Sequence, residues 1–118
     1  MTILVTGAGG LLGRHLTALP GTTGLDHATL DICAPEAVDR ALDELSPTVV
    51  INAAAAANVD ACERDPLLAW RVNAAGVDLL ARATARRGLR LLHLSTDYVL
   101  GGDSPRLAVD APHRPLGV

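Results

Sequence analysis

The sequence predicts an α/β chain, a parallel sheet with helices on both faces. Three observations carry that prediction. Short apolar runs such as Thr48–Ala53 (TVVINA) do not alternate with polar residues, as expected for strands buried on both sides. Stretches with helical periodicity separate them. The apolar excess is Ala, Leu and Val, with no Phe, one Trp (Trp70) and one Tyr (Tyr98), a composition suited to close helix-on-sheet contact. Right-handed crossovers then give a doubly wound, Rossmann-type sheet. The 118 residues suffice for one domain holding its first four or five strands.

The elements follow in order. Thr2–Thr6 (TILVT) reads as a buried strand closed by glycines. After Gly7–Gly13 comes a helix with Leu12, Leu16 and Leu19 on one stripe, stopped by Pro20-Gly21. Gly24–Asp26 reads as a second strand. Pro35–Leu45 is a helix with proline in its first turn and Val38, Ala41, Leu42 and Leu45 on one face. Thr48–Ala53 is the third strand. Asp65-Pro66 caps and opens a long helix whose stripe runs through Leu68, Val72, Ala75, Leu79 and Ala83, with Gly88 as its stop. Leu89–Ser95 (LRLLHLS) is a further buried strand. Beyond Gly101-Gly102 the composition turns irregular.

Composition excludes several function classes. A net charge of −3 lacks the basic footprint of a nucleic-acid binder. All ten basic residues are Arg, and Arg86-Arg87 reads as a charged last helical turn. Cys33 and Cys62 lack metal-ligand spacing and disulfide density, so both are expected as buried or half-buried free thiols. His93 is expected in the core of a strand; His15, His27 and His113 form no metal pattern. No signal peptide and no membrane-spanning run is apparent, so the expectation is a cytoplasmic protein without membrane or nucleic-acid partners.

The chemistry-bearing motif is the loop after the first strand. Gly7, Gly10 and Gly13 fall at GxxGxxG spacing between a strand and a helix. Glycine lets the backbone turn sharply and approach a pyrophosphate with no Cβ in the way, while the helix N-terminus offers free N–H groups. The same pattern also serves a strand–helix turn that binds nothing. Asp26 follows Gly7 by nineteen residues, the distance at which an acid meets the ribose 2′-hydroxyl and disfavours a 2′-phosphate. A solvated turn aspartate is the competing reading.

Six segments together resemble the extended short-chain dehydrogenase/reductase family, in particular its dTDP-4-dehydrorhamnose reductase branch. They are ILVTGAGGLLG (Ile3–Gly13), LDHATLDI (Leu25–Ile32), VVINAAA (Val49–Ala55), VDACE (Val59–Glu63), VNAAGV (Val72–Val77) and LSTDYV (Leu94–Val99). The resemblance implies an NAD or NADP cofactor and a nucleotide-sugar substrate. It implies that Gly7, Gly10 and Gly13 hold the pyrophosphate, with Leu11 and Leu12 supplying backbone groups beside it. Asp31 and Ile32 would bracket the adenine, although Asp31 could instead cap the next helix. Ala53, Ala54 and Ala55 would line the nicotinamide side, and Asn73 would be structural or water-holding. Thr96 would be the catalytic hydroxyl, with Ser95 the lesser alternative; either could merely satisfy backbone at a strand end. Tyr98 would pack beside the cleft without acting as the proton donor.

The sequence also departs from that family. Its Tyr-x-x-x-Lys pair is missing: there is no Lys, and Gly102 stands four residues after Tyr98. Ala56 and Ala57 replace an aromatic and a Thr, which puts substrate contacts in doubt. Cys33-Ala34 replaces a helix cap, at a cost of about 1 kcal/mol. The expectation is an N-terminal cofactor-binding part of a sugar-nucleotide reductase, ending before the catalytic helix. The alternative is a non-catalytic NAD(P)-binding regulatory module resembling the regulatory subunit of methionine adenosyltransferase. The last strand should then expose apolar surface that a second copy or another chain could cover, or whose missing helix another chain could donate.

Overall fold

A computed structural model describes residues 1–102 and 104–117. Four parallel strands, β1 (Ile3–Thr6), β2 (Thr22–Leu25), β3 (Val49–Asn52) and β4 (Arg90–His93), lie in the order β2-β1-β3-β4. Their register sets Ile3 beside both Thr22 and Val49, and Val49 beside Arg90. The chain leaves β1 toward one edge and returns past it to the other. The crevice between the C-terminal ends of β1 and β3 is therefore the topological switch point, where open α/β sheets take their ligands.

The helices are α1 (Leu11–Thr17), α2 (Pro35–Leu45), α3 (Val59–Arg64), α4 (Pro66–Trp70) and α5 (Gly76–Arg86). Right-handed crossovers put α1 on one face and α2 with α5 on the other. The core lies on the α2–α5 face, where Leu4, Val50, Val38, Leu42, Leu80 and Ala83 are closed off from solvent. Arg87 ties the two helices at their surface, bonding Asp39 at 2.7 Å and Asp43 at 2.8 Å, and Arg86 adds a bond to Asp39 at 3.0 Å. The Arg pair is thus a helix-end clamp.

The structure corrects several expectations. The long helix is interrupted by a π-helical turn, Arg71–Ala75, between α4 and α5. The extra residue rotates the helix, so Ala69, Gly76, Leu80, Ala83 and Thr84 are buried while Leu68 is exposed. In α1, a helix of only seven residues, Gly13 alone is buried, and Leu12 and Leu19 face solvent. β4 is an edge strand and not a buried one, and Leu92, 53% exposed, gives it the exposed apolar surface expected of the last strand. His93 ends β4 at the surface instead of lying in its core. The first and third strands are each shorter than expected, and the second spans Thr22–Leu25. Both thiols are free, Cys62 buried and Cys33 half-buried. Among the described residues no helix is long and apolar enough to cross a membrane.

Candidate functional site

The switch point opens into a cleft of about 440 Å³ lined by the glycine loop, the segment after β2 and the segment after β3. Its shape depends on two backbone approaches that only glycine allows. Gly7 has φ +71°, and a Cβ there would stand 2.6 Å from the Ala54 backbone. A Cβ on Gly13 would overlap the Gly7 carbonyl oxygen. The loop is closed by Gly10 N–H donating to Gly7 O at 3.0 Å, and it leads into α1 with no side chain capping its first turn. A phosphate-sized acceptor fits such an open, Cβ-free cradle.

The floor beneath the cleft is a polar relay inside the sheet. Thr6 and Asn52, on neighbouring strands, are fully buried. The Thr6 hydroxyl donates to Asn52 Oδ1 at 2.5 Å, and Ala54 N–H donates to the same oxygen at 3.2 Å. With Oδ1 so occupied, the amide nitrogen must face β4, where it meets His93 Nδ1 at 3.1 Å. The amide nitrogen only donates, so His93 Nδ1 is the acceptor in that bond. The relay fixes the start of the Ala53–Ala56 segment, and every buried side-chain polar atom among the described residues has a partner.

Asn73, on the π turn, holds the other end of that segment. It accepts from Ala56 N–H at 2.8 Å and donates to Ala56 O at 3.0 Å. The irregular turn thus aims a side chain that a regular helix would carry elsewhere. Ala56, noted in the sequence only as a departure, is a lining residue clamped on both backbone groups.

At the far end Asp26 and Asp31 line the cleft with His27, Leu30, Ile32 and Cys33. Asp26 Oδ1 accepts from Ala28 N–H, Thr29 N–H and the Thr29 hydroxyl, at 2.9–3.1 Å. The Thr29 bonds hold its carboxyl below the usual carboxylate range. Asp31 accepts from Cys33 N–H at 2.9 Å and does not cap α2, whose N-cap is Ala34 with no side-chain bond. Burial, and then the Asp31 carboxylate, push the Cys33 thiol up, so it stays protonated at neutral pH.

The structure brings Gly7, Gly10, Asp26, Asp31, Ile32, Ala53, Ala54 and Ala55 together around one cleft. Gly13 supports the loop from behind, and Asn73 acts on Ala56. Leu11 and Leu12 stand at the start of α1 with exposed side chains. Thr96 and Ser95 lie outside the lining. Thr96 caps a short 3₁₀ turn (Asp97–Val99), accepting from Tyr98 N–H at 3.2 Å and donating to Asp97 at 3.3 Å. Tyr98 is 66% exposed instead of packed beside the cleft. Both follow an edge strand, where no further layer holds them inward. Sequence reading passed over Thr6 and Asn52, although a polar residue inside VVINA was a visible signal. It also passed over Gly9, His27 and Val72 in the lining.

The family profile described as the RmlD substrate binding domain matches residues 1–118. A dTDP-4-dehydrorhamnose reductase of Mycobacterium tuberculosis (strain ATCC 25618 / H37Rv) is 47% identical over 106 residues, covering 86% of this chain and 34% of that protein. That of Escherichia coli K12 is 36% identical over 128 residues, covering all of this chain and 42% of the relative. The chain thus spans well under half the length of these curated relatives. Among solved structures, the Bacillus anthracis dTDP-4-dehydrorhamnose reductase in complex with NADP superposes with a TM-score of 0.94 at 32% identity, covering 99% of this chain and 44% of that one. A Thermus thermophilus UDP-glucose 4-epimerase complex with NAD gives 0.86 at 29% identity, covering 99% and 45%.

Proposed function

Because the chain belongs to the family described as the RmlD substrate binding domain, we propose that it is the cofactor-holding part of a reductase of the dTDP-4-dehydrorhamnose type. The cleft at the β1–β3 switch point would hold NAD or NADP. The observation that carries this reading is the Cβ-free cradle at Gly7 and Gly13, which brings a glycine loop and the Ala53–Ala56 segment to opposite walls of one cleft. Solved relatives with NADP and NAD bound support it.

In this reading the cofactor supplies hydride, and the chain's own residues bind and orient. The pyrophosphate would lie over Gly9 and Gly10, taking N–H groups from the first turn of α1. Asp26, with Oδ1 tied into its turn, would offer its other oxygen to the adenosine ribose. Ile32 and Leu30 are buried apolar side chains that suit the flat face of an adenine. The small side chains of Ala53, Ala54 and Ala55 would let the nicotinamide lie against the end of β3, and Asn73 holds that wall through Ala56. Thr96 would be the hydroxyl that meets the sugar ketone, its place at the cleft depending on contacts beyond β4.

A reductase must also donate a proton to the ketone oxygen. These 118 residues hold no Lys, and Tyr98 has Gly102 at the fourth following position. On its own the chain would therefore bind cofactor without reducing a 4-keto nucleotide sugar. The open edge of β4 would be covered by further reductase sequence or by a second copy, and the setting would be the cytoplasm. Titrating the purified chain with NADH and NADPH, read by nicotinamide fluorescence, tests the binding claim. Saturable binding lost in Gly7→Val is expected; no binding by a folded chain would refute it. Turnover of a 4-keto sugar nucleotide at an ordinary enzymatic rate would refute the claim about catalysis.

A further inference from the structure

We propose that His93 is a proton-sensitive latch on the wall of the cofactor cleft; this rests on the cofactor reading above. A proton taken up at Nδ1 turns the Asn52 amide, frees the Ala54 N–H and weakens the hold on the dinucleotide. A chain of contacts runs from the sheet edge to the cleft. His93, exposed at the end of β4, meets Asn52 Nδ2 through its Nδ1 at 3.1 Å. Asn52 is fully buried, and its Oδ1 accepts the Thr6 hydroxyl at 2.5 Å and Ala54 N–H at 3.2 Å. Ala54 lines the cleft, and its backbone abuts Gly7. A single buried amide thus links an exposed titratable ring to the wall against which the nicotinamide would lie.

A neutral imidazole offers one acceptor nitrogen and an imidazolium offers none. Once His93 carries a second proton, two N–H groups confront each other across the 3.1 Å contact. If the ring swung out to solvent, the Asn52 amide N–H would stay buried without a partner, the costlier response. If the amide turns, Oδ1 gains a charge-assisted bond from the imidazolium, and the Thr6 oxygen accepts the turned N–H. Only Ala54 N–H then loses its acceptor, and it borders the cleft. The disturbance falls on the wall. No neighbouring charge offsets it. β3 carries no titratable side chain. On α5, which packs on β4, Asp78 pairs with Arg82, and Arg86 and Arg87 pair with Asp39 and Asp43. Arg90 begins β4 at its other end, and Asp97 accepts the Thr96 hydroxyl. Among the described residues no carboxylate forms an ion pair with His93. His27 lines the cleft, where a cation would strengthen the hold on an anionic cofactor, the opposite sign.

The test titrates the chain and its His93→Asn variant with NAD⁺ and NADP⁺ at about pH 8 and about pH 5, limits between which an imidazole takes up its proton. The asparagine Oδ1 replaces Nδ1 as acceptor, so H93N keeps the bond and loses the titration. From the higher pH to the lower, wild-type affinity should fall about tenfold relative to H93N, the scale of one lost hydrogen bond. Comparing the two chains at each pH cancels the titration of His27 and of the ligand. Hydrogen exchange, corrected for its intrinsic rate, gives a readout that needs no variant: the wild-type Ala54 amide should lose protection in acid. If H93N weakens in parallel with the wild type, or Ala54 stays protected, the proposal fails. It fails equally if acid lowers wild-type stability and leaves affinity unchanged, because the ring has then swung away from Asn52. A folded chain that binds neither dinucleotide at the higher pH overturns the cofactor reading, and this inference with it.

Discussion

The centre of the sheet and its β4 edge are built to different standards. At the centre, Leu4, Val5 and Val50 are sealed, Thr6 and Asn52 are buried with their bonds made, and Gly7 meets Ala54 backbone to backbone. At the edge, Leu92 is 53% and Leu94 38% exposed, and Tyr98 stands in solvent. The proposed cofactor cleft belongs to the first region, whereas Thr96 belongs to the second. The proposed binding cleft is thus walled by segments whose backbone two paired strands hold in place. The proposed hydroxyl follows a strand that pairs on one side only among the described residues.

The sharpest way to break the comparison is to add one methyl group in each region. Gly7→Ala forces a side chain into left-handed backbone against Ala54, and should cost about 4 kcal/mol. Gly102→Ala has a similar φ of +73° but nothing within 4 Å, and should cost about 1 kcal/mol. Urea denaturation of the two variants measures the difference; equal losses would mean that the cradle is not close-packed.

Next in size is the relay. Asn52→Leu removes the acceptor of the Thr6 hydroxyl and of Ala54 N–H, and should cost about 3 kcal/mol. At the edge, Leu92→Lys should change stability by no more than about 0.5 kcal/mol, since the side chain is already half in water. A large loss there would show that β4 is covered in solution, and sedimentation against concentration would identify a second copy as the cover.

The smallest effect is electrostatic. The Thr29 bonds lower the Asp26 pKa in the folded chain, so its contribution is present above the ordinary carboxylate range, about 4, and is lost as pH falls through the lower folded value. The stability difference between wild type and Asp26→Asn should therefore be constant near neutrality and shrink in acid. A difference that grows on acidification would contradict the turn geometry. The carboxylate is exposed, so the effect is small.

Much of the central region was legible in the residues, and the reasons are physical. Pro35 at a first turn with Leu45 as the last apolar contact delimits α2 to the residue, because local chemistry sets both ends. The glycine spacing located the loop for the same reason. The π turn was not legible: Leu68, Val72, Ala75 and Leu79 form a sound stripe on a regular helix. Only the contacts of Asn73 with Ala56 show why one extra residue is inserted. The exposed apolar surface of the run Leu89–Ser95 was expected only from the family resemblance, and by periodicity alone the run looks like a buried strand. For that reason His93 read as a core residue, and Tyr98 as packed.

The central claim is that the cofactor sits between the ends of β1 and β3. Amide chemical-shift mapping of the isotope-labelled chain with NADH tests it most directly. Saturable shifts should concentrate in residues 7–13, 26–32 and 53–56, with β4 and the residues after it little changed. Shifts confined to the β4 edge, or none at saturating NADH in a folded chain, would contradict it.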